Sequence, residues 1–226
     1  MILTAHQPAY LPWLGYFEKI MRSDVYIYMD AVQFERASFI NRNKIKTSNG
    51  PIWLTVPVFS KGHRDTTMVN MKINNELNWQ KKHFESICNN YKRAPYFKEI
   101  ISKIAPFYEQ EYDLFCDFCY EYTEFWFNEL GMKTKPIRMK DMSVVGYKSE
   151  LIINMCKLMK ADTYISGALG KNYIDNEVFE KNNIEVIYQD YHPNEYPQLW
   201  GDFVPNISIL DFVMNTRDYS LIMGGK

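Results

Sequence analysis

The order of apolar and polar positions divides the chain into three stretches of different character. At the front, the apolar run 2–5 ends in His6. Pro8 and Pro12 then impose an extended or turned loop, because each fixes its own φ and disfavours helix just before it. Leu14, Phe17, Ile20 and Met21 recur at helical spacing, which predicts a helix over 14–21. The β-branched and aromatic run 24–30 predicts a strand ending on the carboxylate of Asp30. This is a strand–loop–helix–strand unit. Its two strand ends would lie side by side at the carboxyl edge of a parallel sheet, where open α/β sheets bind ligands.

The stretch 31–75 is less regular. It holds a polar segment at 41–46, a turn at Asn49-Gly50-Pro51, and strand-like runs at 52–59 and 68–73 that are expected to pair across the mouth of the site. Helical spacing of apolar and aromatic positions then covers 77–91 and 107–130, with Gly131 as the expected C-cap. The last third alternates again. A helix is predicted at 149–159, a strand at 163–166 entering a Gly167–Gly170 loop, a short helix at 176–181 and a strand at 184–189. A final helix begins near Ser208, which is expected to cap it. The expected fold is α/β: a Rossmann-like, mostly parallel sheet core with an inserted α-helical subdomain at about 77–135 and a small β-hairpin. With no linker or internal repeat, 1–226 is expected to form a single domain.

Composition narrows the function classes. Hydrophobic residues make up 46%, enough for a sizeable core. The 26 basic and 27 acidic residues are interspersed for a net charge of −1, which argues against a general nucleic-acid binder. The N-terminal MILTAHQPAY lacks a cationic start and a long apolar stretch, and charge interrupts the other apolar runs. A cytoplasmic chain without a membrane span is therefore expected, its four cysteines reduced. The 17 Tyr, 14 Phe and 5 Trp serve mostly as core, although tyrosine in this number also lines sugar pockets.

His6 is the leading chemical candidate. A histidine directly after a strand, on a loop stiffened by two prolines, suits a general base, and Asp30 is placed to orient it. The competing reading has His6 capping the helix or bonding a loop carbonyl, with Asp30 capping its loop. Cys116 and Cys119 form a CxxC inside an aromatic helical stripe and read as core rather than zinc ligands. His63 and His83 have no evident partner. The segment 167–171 lacks the Walker spacing, and Asp211 is a helix cap or a site carboxylate.

The run HQPAYLPWLGYFEKI, then Asp30 and Gln33, NRNKIK at 41–46, WLTVPV at 53–58, YISG at 164–167 and SILD at 208–211 together resemble the WbqC-like protein family. The resemblance spans roughly residues 2–215. It implies a role in bacterial surface-polysaccharide, or O-antigen, biosynthesis, with acyl or aminoacyl transfer to the amine of a nucleotide-linked amino sugar. On that implication His6 is the base and Asp30 its orienter. Gln7, Gln33 or backbone N–H groups near Gly167 would serve the oxyanion, and Arg42, Lys44 and Lys46 a diphosphate. Tyr10, Trp13, Asn41 and His192 complete the expected substrate-binding set. The donor would be an acyl-CoA or an acyl carrier thioester, which makes an acyl carrier protein a candidate partner, and no metal is invoked. A solvated loop is the competing reading for the basic trio. Three further readings stay open. One is a nucleotidylyltransferase, which would carry a second histidine absent from PWLGYF. The others are a non-catalytic nucleotide- or sugar-binding protein and a structural adaptor in glycan assembly.

Overall fold

The computed structural model of the chain describes residues 1–35, 38–59 and 67–224. The chain runs β1 (Ile2–His6), α1 (Leu14–Met21), β2 (Val25–Tyr28) and a hairpin of β3 (Arg42–Thr47) and β4 (Gly50–Thr55). Three helices follow, α2 (Trp79–Tyr91), α3 (Phe97–Glu109) and α4 (Phe115–Glu129). It then continues through β5 (Pro136–Arg138), α5 (Ser149–Met159), β6 (Thr163–Ser166), α6 (Asn176–Lys181), β7 (Glu185–Tyr188) and α7 (Ile209–Asn215).

Five strands form one parallel sheet in the order β5-β2-β1-β6-β7. The chain fills the sheet outward from β1 in one direction, through β2 and β5. It then returns to the other side of β1 for β6 and β7. The order therefore reverses between β1 and β6, and this switch point is where an α/β sheet opens a crevice at its carboxyl edge.

Alternation along the strands feeds two cores. Leu3, Ala5 and Ile27 pack on one face with Leu151, Ile152 and Met155 of α5 and Phe179 of α6. Tyr26 and Tyr28 point to the other face and share a core with Tyr16 and Phe17 of α1, Trp126 of α4 and Phe212 of α7. The strands carry apolar residues at both parities because both faces are covered.

The α/β architecture expected from the sequence is present, with the small antiparallel hairpin beside it. The hairpin, however, is built from other residues. The polar segment Arg42–Thr47 is itself a strand, paired with Gly50–Thr55 from Arg42↔Thr55 to Thr47↔Gly50. Its buried positions include the polar Asn43 and Lys46, on opposite faces of the strand, so hydrophobic alternation gave no sign of it. Met68–Asn70 is a 3-10 turn, and Val58↔Ile73 is an isolated bridge. The aromatic stretch 107–130 divides into α3 and α4. The break lets the Ile73 amide donate to the Asp113 carbonyl (2.9 Å) and the Phe115 amide to the Met71 carbonyl (2.9 Å). Ser208 sits at the start of α7 but makes no side-chain cap, and its hydroxyl is buried without a partner among the described residues. Gly131 follows α4 with φ +64°, as a helix-terminating glycine does.

Candidate functional site

The carboxyl edge of the sheet gathers the chain's chemistry-bearing residues by topology. His6 ends β1, Asp30 follows β2, Arg138 ends β5, and Gly167 follows β6. His6 lies beside Tyr28 in register and so projects toward the face covered by α1. Its ring meets Trp13 (centroids 5.5 Å) and Tyr16 (4.9 Å), both edge-on. Nδ1 lies 2.7 Å from the Gln7 carbonyl oxygen. A carbonyl can only accept, so Nδ1 carries the hydrogen and Nε2 keeps its lone pair. Nε2 has no hydrogen-bond partner among the described residues.

Burial first, and the Lys19 charge second, pull the His6 pKa down to about 3. The ring is therefore neutral throughout the physiological range. The folded ring is harder to protonate than an unfolded one of pKa 6.5, so its contribution to stability is complete above that pH. That contribution is lost progressively as pH falls toward about 3.

The pairing of Asp30 with His6 expected from the sequence does not form. Asp30 is fully buried, with Oδ2 accepting from Arg138 Nε at 2.7 Å and Oδ1 from the Lys140 amide at 2.9 Å. Arg138 also donates to Asp117 at 2.6 Å and lies over the Tyr120 ring (4.9 Å). Asp30 thus ties the ends of β2 and β5 to α4. The neighbouring Gln7 carbonyl, not a carboxylate, fixes the His6 tautomer.

From His6 an unbroken strip of rings runs outward. Trp13 meets Phe39 at 6.3 Å, and Phe39 meets Trp53 of β4 at 5.4 Å. Phe39 and Trp53 are 49% and 41% exposed, unusually open for rings of this size. Over the Trp53 ring lie Arg42 (4.5 Å) and Lys44 (4.8 Å) of β3. The strip is held against the β1–α1 loop by backbone and amide bonds. Tyr10 N–H donates to the Ile40 carbonyl (2.8 Å), and Asn43 donates to the Leu11 carbonyl (2.5 Å). Asn41 pairs with Val56 twice: its side-chain amide donates to the Val56 carbonyl (2.8 Å) and its backbone carbonyl accepts from the Val56 amide (2.8 Å).

The remaining candidates distribute as follows. Gln7 is half-buried beside His6, and its side chain has no hydrogen bond to a described residue. Tyr10 is fully buried, its hydroxyl shared with His83 Nδ1 (2.9 Å) and Tyr108 (2.8 Å), so it belongs to the core and does not line the strip. Burial holds His83 down at about 4. Gln33 is exposed and bridges Thr67. A Cβ on Gly167 would meet nothing within 4 Å, which leaves open space beside the end of β6. Lys46 does not join Arg42 and Lys44. It is 2% exposed, with its ammonium bonded to Gln198 (3.0 Å) and to the Gly201 (3.3 Å) and Asp202 (2.5 Å) carbonyls. Asp211 is buried beneath it, accepting from Tyr91 (2.7 Å) and Tyr196 (2.9 Å), and burial raises its pKa to about 6. His192 is exposed and pairs with Asp190 at 3.3 Å. Cys116 and Cys119 are buried in α4. His63 lies outside the described residues. A groove of about 300 Å³ between α6 and β7 sits at the far sheet edge, with Phe179 and Ile184 among its lining residues.

Sequence reasoning missed Phe39, Trp53 and Lys19. Trp53 had a readable signal, since it lies on a strand-like run next to the basic segment. Lys19 had none.

Fold and site together define an α/β protein with a histidine-bearing loop at the switch point of a parallel sheet. The chain belongs to the WbqC-like protein family, whose model matches residues 7–221. One relative is the uncharacterized protein Rv1507c of Mycobacterium tuberculosis (strain ATCC 25618 / H37Rv). It is 35% identical over 211 residues, covering 92% of this chain and 91% of the relative. No solved structure matches the chain. Among the described residues, no helix is long and apolar enough to cross a membrane.

Proposed function

We propose that this chain is a cytoplasmic enzyme of bacterial surface-polysaccharide, or O-antigen, assembly. In this reading it transfers an acyl or aminoacyl group to the amine of a nucleotide-linked amino sugar. The observation that carries the reading is the ring strip, which joins a neutral histidine at one end to two cations at the other. A nucleotide-linked sugar has the matching order of parts: an amine-bearing ring, a diphosphate and a flat base. Aromatic faces suit sugar and base, and Arg42 and Lys44 suit the diphosphate.

The chemistry balances without a protein nucleophile. The amine nitrogen attacks the thioester carbonyl, and a C–N bond forms as the C–S bond breaks. His6 Nε2 takes the proton released from nitrogen and returns it to the departing thiolate. The Gln7 side-chain amide and the open backbone at Gly167 are the donors offered to the oxyanion. The donor is an acyl-CoA or an acyl group on a carrier protein. The neutral His6 ring has its Nε2 lone pair available for that proton.

Incubating the protein with nucleotide-linked amino sugars and acyl thioesters, followed by mass spectrometry, tests the reading. The expected product is heavier by the acyl group on nitrogen. Its absence across the panel would refute transfer. Arg42→Gln and Lys44→Gln are each expected to raise KM for the nucleotide sugar about tenfold, with kcat and melting temperature little changed. Unchanged kinetics in both would return these cations to a solvated surface.

One observation favours a second reading, nucleotidyl transfer. The strand order places the histidine loop at the switch point and leads it into α1, an arrangement suited to phosphate recognition. Release of diphosphate from a nucleoside triphosphate and a sugar phosphate, with no N-acylated product, would select it.

A further inference from the structure

β7 forms one edge of the parallel sheet, beyond β6. The Glu185 amide donates to the Asp162 carbonyl (2.8 Å) and the Gln189 amide to the Ser166 carbonyl (2.9 Å). Alternate residues of a strand address the same neighbour, so Glu185, Ile187 and Gln189 face β6. Val186 and Tyr188 therefore turn their N–H and C=O groups outward, and these have no hydrogen-bond partner among the described residues. The register with β6 runs unbroken from Glu185 to Tyr188, without the proline or bulge that would blunt such an edge. The opposite edge is less open. β5 has three residues, and its Pro136 carbonyl accepts from the Tyr120 hydroxyl (3.3 Å).

The groove between α6 and β7 adjoins this open edge, and the carboxylate residues Glu180 and Glu185 are among those lining it. Glu180 belongs to the start of β7, since its carbonyl accepts from the Asn183 amide (2.9 Å) in the turn that leads into the strand. Lys171 belongs to the end, with its ammonium over the Tyr188 ring (5.8 Å). None of these three charges has an ion pair among the described residues. The edge is thus acidic at its start and basic at its end.

We propose that β7 is the interface of a symmetric dimer, pairing antiparallel with β7 of a second copy of this chain. A two-fold axis beside Ile187 sets Val186 opposite the partner's Tyr188, and Tyr188 opposite the partner's Val186. Each pair exchanges two hydrogen bonds, which satisfies every outward group of both strands. Reversal of the strand direction also brings the Lys171 end of each copy to the Glu180 end of the other, so opposite charges meet on both sides of the axis. A foreign strand could make the same backbone bonds, but it would have to bring both charges in the matching order. A second copy already carries them.

Sedimentation equilibrium of the wild type at about 100 μM should give twice the mass of one chain. The Val186 and Tyr188 amides should exchange with solvent more slowly there than in dilute protein. Val186→Pro removes an outward N–H without touching the bonds to β6, and should be folded and monomeric. Glu180→Lys and Lys171→Glu each turn attraction into repulsion at two symmetry-related places, and should weaken dimerisation about tenfold. The double variant, with the signs exchanged, should dimerise nearly as well as the wild type. Circular dichroism checks the fold. If Val186→Pro does not fold, the charge exchange decides alone, because both side chains are exposed. A monomeric wild type at that concentration would overturn the proposal and leave the edge to a foreign strand. A dimer that none of these variants weakens would overturn it as well, since the copies would then meet elsewhere.

Discussion

His6→Ala is expected to abolish most turnover, by about 10²–10⁴-fold, while nucleotide-sugar affinity and melting temperature stay near wild type. The separation follows from what the ring touches. Its hydrogen bond is to the carbonyl of the adjacent residue, so losing it frees no distant element. The backbone of β1 is held from both sides by β2 and β6. What is lost structurally is two edge-on ring contacts, together worth about 1–3 kcal/mol. Against a rate loss equivalent to roughly 3–5 kcal/mol, that is the smaller effect. Product formation, affinity and thermal stability measured on the one variant decide the matter. Near-normal activity with a lowered melting temperature would make His6 a structural residue.

Arg138→Met should show the opposite pattern, a large loss of stability. Asp30 is fully buried and Arg138 is its ion-pair partner at 2.7 Å, so removal strands a carboxylate among Cys116, Tyr28 and the ends of two strands. Breaking one partner of a buried pair costs about 3–5 kcal/mol, where replacing both by matched apolar groups is often neutral. For a chain of this length that corresponds to a fall of about 10 °C in melting temperature. Asp117→Asn, which weakens the other Arg138 bond at a 40% exposed carboxylate, should cost far less. Urea denaturation of both variants gives the comparison. Equal small losses would show that Asp30 is not dependent on Arg138, and would reopen its assignment to the site.

The sheet core was legible because its signals are local. A run such as Val25–Tyr28 can only be buried, and Ser149–Met159, Thr163–Ser166 and Asn176–Lys181 follow the residues that pattern alone selected. The hairpin register was not legible, since its buried polar residues Asn43 and Lys46 are satisfied by distant partners at Leu11, Gln198 and Asp202. The three-residue β5 is too short to carry a period, yet it brings the cation that claims Asp30. In the site, the placement of His6 could be read from strand, proline and helix spacing. The fate of Asp30 could not, because Arg138 lies 108 positions away. Lys19 was hidden for a different reason: a lysine on a helix reads as solvated until the structure shows it under the sheet edge.

The most direct test of the central claim is long-range ¹⁵N NMR of His6 during titration with a nucleotide-linked amino sugar. The free protein should show hydrogen on Nδ1 and an unprotonated Nε2 at neutral pH. Saturation should shift the Nε2 resonance strongly, as the sugar amine arrives beside it. Saturating ligand that leaves both His6 nitrogens unmoved would contradict a site built around this histidine.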